Sequence, residues 1–169
     1  MWYCMGRKCA EEKQMEKTPC LVKIDSAFEE EGKNYPGTFE SSEDRIRVTW
    51  TQPEEEKGQG DSKFILSYRV LEKVLKLTRR GGAETEMEFR SGEKTEGIMR
   101  TSHGDFDLQM ETRELRFFHE EDDFEEETDG EIYLVKKASL IYDLCFPNQD
   151  PMSNQMFFEI RIAKKEKNV

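Results

Sequence analysis

The chain is short of the residues and patterns that mark most recognisable chemistries. Its 169 residues hold two histidines, His103 and His119, and four cysteines, Cys4, Cys9, Cys20 and Cys145. No two cysteines are spaced as Cys-x-x-Cys, and neither histidine lies near one. A structural zinc site needs four close ligands, usually in paired short spacings, so no metal is expected. There is no Gly-x-x-x-x-Gly-Lys-Ser/Thr loop and no Gly-x-Gly-x-x-Gly fingerprint after a strand, so no nucleotide cofactor is expected either. Neither histidine has a serine or cysteine that sequence alone can place beside it. No catalytic residue is assigned, and nothing marks the chain as an enzyme.

Long apolar runs are missing too. No stretch approaches the roughly 18 residues of a membrane-spanning helix. The opening Met1-Trp2-Tyr3-Cys4-Met5-Gly6-Arg7-Lys8 lacks the apolar segment of a secretory signal, and no Asn-x-Ser/Thr site occurs. The expected compartment is the cytoplasm, where thiols stay reduced. Positive charge is also in deficit, with 26 Lys and Arg against 37 Asp and Glu, a net charge of −11. Such a surface repels phosphate backbones and anionic bilayers, so neither nucleic acid nor membrane is an expected partner. It leaves a cationic protein partner open, beside the plain reading of solubility.

What is present is charge and aromatic side chains. Charged residues make up 37% of the chain, and eleven Phe, five Tyr and two Trp are too many for a disordered segment. The length suits one domain. Residues 1–19 are polar, carry no period and read as a loose tail. Residues 20–169 read as a single domain.

From Cys20 the apolar period is two, the mark of half-buried strands. Leu21–Ile24 is a strand. In Arg45–Trp50, Ile46, Val48 and Trp50 share one face. In Lys63–Val70, Phe64, Leu66, Tyr68 and Val70 do so. Val70–Arg80 fits a strand ended by Gly81-Gly82, with a helical stripe as the alternative. Further strands are expected at Thr85–Phe89, Gly97–Thr101, Asp105–Thr112, Glu131–Lys136, Ala138–Phe146 and Gln155–Ala163. Glu120–Asp129, with eight carboxylates in ten residues, reads as an acidic loop. Placed on a calcium-binding loop with Gly130 as its central glycine, it puts Lys136 where a bidentate Glu is needed, so that pattern does not complete. About eight to ten short strands with turn signals every 8–12 residues predict an all-β fold: a closed antiparallel up-and-down barrel, calycin- or lipocalin-like.

The spacing of Leu77-Thr78-Arg79-Arg80-Gly81, Phe89, Gly92, Thr101-Ser102-His103-Gly104, Asp105-Phe106-Asp107-Leu108, Glu111-Thr112, Leu140-Ile141-Tyr142-Asp143-Leu144 and Ser153-Asn154 resembles the YwiB-like family of small bacterial proteins of unknown function. The resemblance spans roughly Cys20–Ala163. It implies a calycin-like barrel of eight to ten strands and supplies no catalytic residue. Met99 stands where the family often has an aromatic residue, the acidic stretch is longer, and the Gly-x-Trp signature of true lipocalins is absent.

At about eight strands a barrel either fills with side chains or holds one small ligand. Arg79 is in phase with Leu75 and Leu77, so its guanidinium faces inward and needs a carboxylate, a bound anion or the barrel mouth. Tyr68, Tyr142 and Trp50 are also in phase with inward faces. These four residues are the candidate ligand site in the lumen, for a small anionic or amphipathic molecule; core packing is their other reading. The alternative function is a protein-interaction module that uses the acidic surface while the lumen is packed shut. Oligomeric state is not legible in the sequence.

Overall fold

The computed structural model describes residues 16–26, 33–53 and 60–164. In chain order the strands are β1 Glu16–Ser26, β2 Asn34–Ser41, β3 Arg45–Pro53, β4 Asp61–Arg69, β5 Val74–Arg80, β6 Glu84–Arg90, β7 Lys94–Thr101, β8 Gly104–Phe117, β9 Phe124–Thr128, β10 Glu131–Cys145 and β11 Met152–Ala163. Each strand from β1 to β7 pairs antiparallel with the next, β8 pairs with β10, β10 with β11, and β11 with β1. Ten strands therefore close a ring, as the alternation predicts. The ninth strand is an addition to it. β10 is 15 residues long and shares one edge between two partners: Glu131–Val135 pairs with β9 and Ala138–Cys145 with β8.

The ring is held in register by inward side chains that meet across the ladders. Val48 lies opposite Leu66, Leu66 opposite Leu77, and Leu77 opposite Met87. On the other wall Leu140 faces Met156, and Ile160 faces Val22. These positions form one contiguous apolar core, while the alternate positions carry the charge. Two inward positions are glycines because no side chain fits. A Cβ on Gly37 would lie 2.5 Å from the Thr49 carbonyl oxygen, and one on Gly97 would lie 2.5 Å from that of Glu86. A register shift opposite Ile141/Tyr142 leaves Arg113 without a ladder partner. This bulge moves the inward phase of β8 from Leu108, Met110 and Thr112 to Leu115 and Phe117, so the long strand stays apolar inside on both sides of it.

The two ends of the barrel differ. At the end where β4 finishes and β5 begins, called the lower end here, Tyr68 packs on Phe117 with ring centroids 4.6 Å apart, Phe117 on Phe118 at 4.2 Å, and Phe118 near Phe39 at 6.2 Å. Phe118 turns into the core with a positive φ of 49°, which ends β8. At the upper end, where β5 finishes at Arg80, the described residues form no such aromatic cluster.

Several details correct the sequence reading. The first strand begins at Glu16 rather than Cys20, so only residues 1–15 of the expected tail lie outside the described residues, as do 54–59 of the polar loop before β4. β2 was not anticipated. Val70–Lys73 is a turn and the strand starts at Val74. Residues 120–129, expected as a loop, are a 3-10 turn at Glu120–Asp122 followed by β9. Its carboxylates face cations of the barrel itself: Asp122 and Glu121 meet Arg116 at 2.7 and 3.1 Å, Asp123 meets Lys136 at 2.6 Å, Glu126 meets Arg161 at 3.1 Å, and Glu125 meets Lys164. No helix among the described residues is long and apolar enough to cross a membrane.

Candidate functional site

Among the described residues, a cavity of about 220 Å³ lies at the upper end of the lumen. Its walls are apolar and come from β5 to β8, β10 and β11: Leu77, Met87, Met99, Leu108, Leu144 and Met152. Three of the six are methionines, whose unbranched thioether chains adapt to the shape of what they touch. Polar groups enter this lining at two levels.

The first is the rim. Arg79, next to last in β5, is half-buried, with its guanidinium carbon 5.6 Å from the centroid of the Phe64 ring. Phe64 in turn stacks on Trp50, with centroids 5.3 Å apart and planes 8° from parallel. The Trp50 indole N–H donates to Gln52 Oε1 at 3.0 Å, which fixes the bottom of the stack. Arg79 Nε donates to Ser62 Oγ at 3.4 Å. The cation thus lies over the Phe64 ring at the barrel mouth.

The second level is the floor. Tyr142 reaches across the lumen from β10, and its ring meets Phe89 of β6 at 4.8 Å. It is 4% exposed. Asn154, 8% exposed on β11, donates from Nδ2 to the Tyr142 oxygen at 2.8 Å. A phenol has one donor and two acceptor positions, so with this bond its own O–H remains to be given. Burial pushes the Tyr142 pKa above its ordinary value of 10, partly offset by the Asn154 hydrogen bond, and the group stays a donor at physiological pH. Thr112, Tyr142 and Asn154 are paired side by side across β8, β10 and β11. Among the described residues, Thr112 Oγ1 and Asn154 Oδ1 are buried and have no hydrogen-bond partner. An unsatisfied buried polar atom costs about 1–3 kcal/mol, so a barrel built only for stability would carry Val or Leu at these positions.

The model for a domain of unknown function, DUF1934, matches residues 29–156. The chain belongs to this family. No curated protein matches it. The crystal structure of ywiB protein from Bacillus subtilis has a similar fold, with a TM-score of 0.63 at 16% identity over 89% of this chain and 96% of that one. At that identity the likeness is one of fold, and the family brings no assigned residue to the cavity.

Of the four residues singled out in the sequence, Arg79 and Tyr142 line the cavity together. Trp50 stands one ring behind its wall, and its contact is with Phe64. Tyr68 does not reach it. It belongs to the lower aromatic cluster, because the strand direction carries it two inward rungs below Arg79: Phe64 pairs with Arg79, Leu66 with Leu77, and Tyr68 with Leu75. Phe64, Asn154 and the methionines were missed. Asn154 shares the phase of Met156, Phe158 and Ile160 in β11, a polar residue in an inward run, which was the available signal. The histidines lie elsewhere. His103 sits in an exposed turn with its N–H on Thr101 Oγ1, and His119 is exposed with Nδ1 3.7 Å from Glu121.

A second, more open groove of about 440 Å³ lies on the outer wall among Lys23, Arg116, Lys137 and Phe157. Its Arg116 already serves Asp122 and Glu121, whose hydrogen bonds raise the Arg116 pKa, while the Arg116 hydrogen bond holds the Asp122 carboxyl below its ordinary value. Opposite charges within the groove leave it without a single electrostatic preference.

Proposed function

We propose that this barrel binds a small anionic or amphipathic molecule in the upper lumen, through Arg79 and Tyr142, with Trp50 buttressing the site and Tyr68 closing the lumen below it. The observation that carries the reading is the combination of an apolar cavity with polar groups converging on it, the usual composition of a small-molecule site. At about 220 Å³ it lies below the roughly 300–1,000 Å³ of pockets for drug-sized ligands, so the ligand is small. No nucleophile–base pair lines the cavity, which favours binding over catalysis. The test is native mass spectrometry on protein purified without denaturation, beside the Arg79→Leu variant. A reproducible added mass that is released on unfolding and is missing from the variant supports the reading. Identical bare masses for both, with no thermal shift from any small carboxylate, overturn it and move attention to protein partners.

A further inference from the structure

We infer that the ligand is an uncharged amphipathic molecule held polar end down: a carbonyl of amide or ketone type takes the Tyr142 O–H at the floor, and an apolar body reaches up to the mouth. This rests on the cavity being a ligand site, and it selects the amphipathic molecule over the anionic one.

The cavity keeps its charge and its unspent bonding capacity in different places. Among the described residues Arg79 is the one charged side chain in the lining. It stands at the rim and is already engaged, with Ser62 Oγ and the Phe64 ring among its partners. A ligand carboxylate there would exchange existing contacts for new ones. The other polar groups, Thr85, Tyr142 and Asn154, are all neutral. Thr85 is on the wall at the level of Arg79, paired with it on one side and with Met99 on the other. Its hydroxyl can give or take a hydrogen bond with a further polar atom on the body of the ligand.

The floor decides the head group. Asn154 Nδ2 occupies one lone pair of the Tyr142 oxygen, so the phenolic hydrogen points away from that bond. No acceptor among the described residues receives it. A carbonyl oxygen accepts it and brings no charge. A carboxylate would accept it too, but would carry a full charge to a floor that holds no cation, beside the buried Asn154 Oδ1, an acceptor without a partner among the described residues. An unpaired charge is far more costly to bury than a hydrogen-bonded dipole, so the floor selects against the anion.

The mouth sets the direction. Met152 lines the cavity at the start of β11 and is 46% exposed. Phe106, in phase with the inward Leu108 and Met110 and paired with Met99, is 50% exposed. Apolar surface left open at the mouth is covered by an apolar end and not by a polar one. At about 30 Å³ per water-sized volume, 220 Å³ is about seven such volumes, the scale of a single-ring molecule.

The experiment is a calorimetric titration of the whole chain with three single-ring probes: benzamide, benzoate and toluene. Benzamide is expected to bind at least about tenfold more tightly than benzoate, a neutral against a charged head of the same shape. Tyr142→Phe keeps the ring on Phe89 and is expected to bring benzamide down to about the affinity of toluene, with toluene itself unchanged. In the wild-type complex, nuclear Overhauser contacts are expected between the para proton of benzamide and the Met152 methyl. Benzoate binding as tightly as benzamide, a benzamide affinity that survives Tyr142→Phe, or a para proton beside Tyr142 would each overturn the neutral, polar-end-down ligand and leave the cavity reading standing. Failure of all three probes, toluene included, would take the cavity reading down with it.

Discussion

Replacing Gly97 by alanine is the sharpest test of how tightly the ring is drawn. Glycine in a strand interior is normally a weakness, and Gly→Ala at an unstrained position stabilises a protein by roughly 0.4–1 kcal/mol, mostly by restricting the unfolded chain. Gly97 has no positive φ that would forbid a side chain. The obstacle is distance. An added Cβ would lie 2.5 Å from the Glu86 carbonyl oxygen, 3.2 Å from Met110 Cε and 3.3 Å from Met87 Cα. Met110 can swing its terminal methyl aside. The Glu86 carbonyl cannot, because it belongs to the β6–β7 ladder in which Met87 pairs with Gly97. Restoring an ordinary contact near 3.4 Å means parting the two strands by about 0.9 Å (3.4 − 2.5), and overpacking of this kind costs about 1–3 kcal/mol. The net expectation is a loss of about 0.5–2.5 kcal/mol, or about 1–10 °C in Tm at this chain length. Urea unfolding followed by Trp fluorescence gives the number. A Gly97→Ala protein as stable as the wild type, or more so, would refute the close approach and the ring geometry that depends on it.

Other outcomes follow from the same interior. Burial pushes the Cys20 thiol up to about 12 from an ordinary 9.0, so the folded chain keeps a proton that the unfolded chain gives up. Its contribution to stability is complete below pH 9 and is lost as the pH rises toward 12, at up to about 1.4 kcal/mol per pH unit; Cys20→Ala should flatten that part of a stability–pH curve, and an unchanged slope would show that the thiol does not govern it. Lys136→Met strands Asp123, whose partner lies 2.6 Å away in a largely buried pair, and should cost about 3 kcal/mol, with Lys136→Met/Asp123→Leu recovering most of it; equal losses in the single and double variants would argue against the pairing. Glu125→Gln, which loosens the exposed pair with Lys164, should change stability by less than about 1 kcal/mol in thermal unfolding.

Much of the fold was legible because a barrel writes its period plainly. β3 and β11 alternate without interruption, and β8 does so as far as its bulge at Arg113; closure follows from having about ten such segments with short connections. What was not legible has identifiable causes. β2 contains Pro36 and Gly37, which demote a strand in any sequence reading. Here Pro36 occupies an outward position opposite Leu21, and Gly37 is the inward residue that lets β2 approach β3, opposite Trp50. β9 was hidden by its acidity, since Glu125, Glu126 and Glu127 resemble a solvated loop until Lys164 and Arg161 are brought beside two of them. The site divides in the same way. Periodicity placed Arg79 and Tyr142 inward and could do so equally for Tyr68, because phase gives the wall a residue faces and not its height along the barrel axis. Height depends on register, and register depends on pairings between strands distant in sequence.

The two functional readings make opposite demands on the chain's unused bonding capacity, and that separates them. A cationic partner on the acidic segment needs free carboxylates. Of the eight between Glu120 and Asp129, Glu121, Asp122, Asp123, Glu125 and Glu126 already face Arg116, Lys136, Lys164 or Arg161. A partner would exchange one ion pair for another in mostly exposed surroundings, where such pairs are worth about 0–1 kcal/mol, so little is gained by the exchange. A lumen ligand needs unspent hydrogen-bonding groups in a dry place, where each new bond spares a desolvated atom rather than replacing water. The Tyr142 O–H at the cavity floor meets that condition, and beside it Thr112 Oγ1 and Asn154 Oδ1 show that this stretch of the core tolerates unsatisfied polarity. Five of the eight carboxylates that a surface partner would use are held by the barrel's own cations, while the donor that a small ligand would use is held by no acceptor among the described residues.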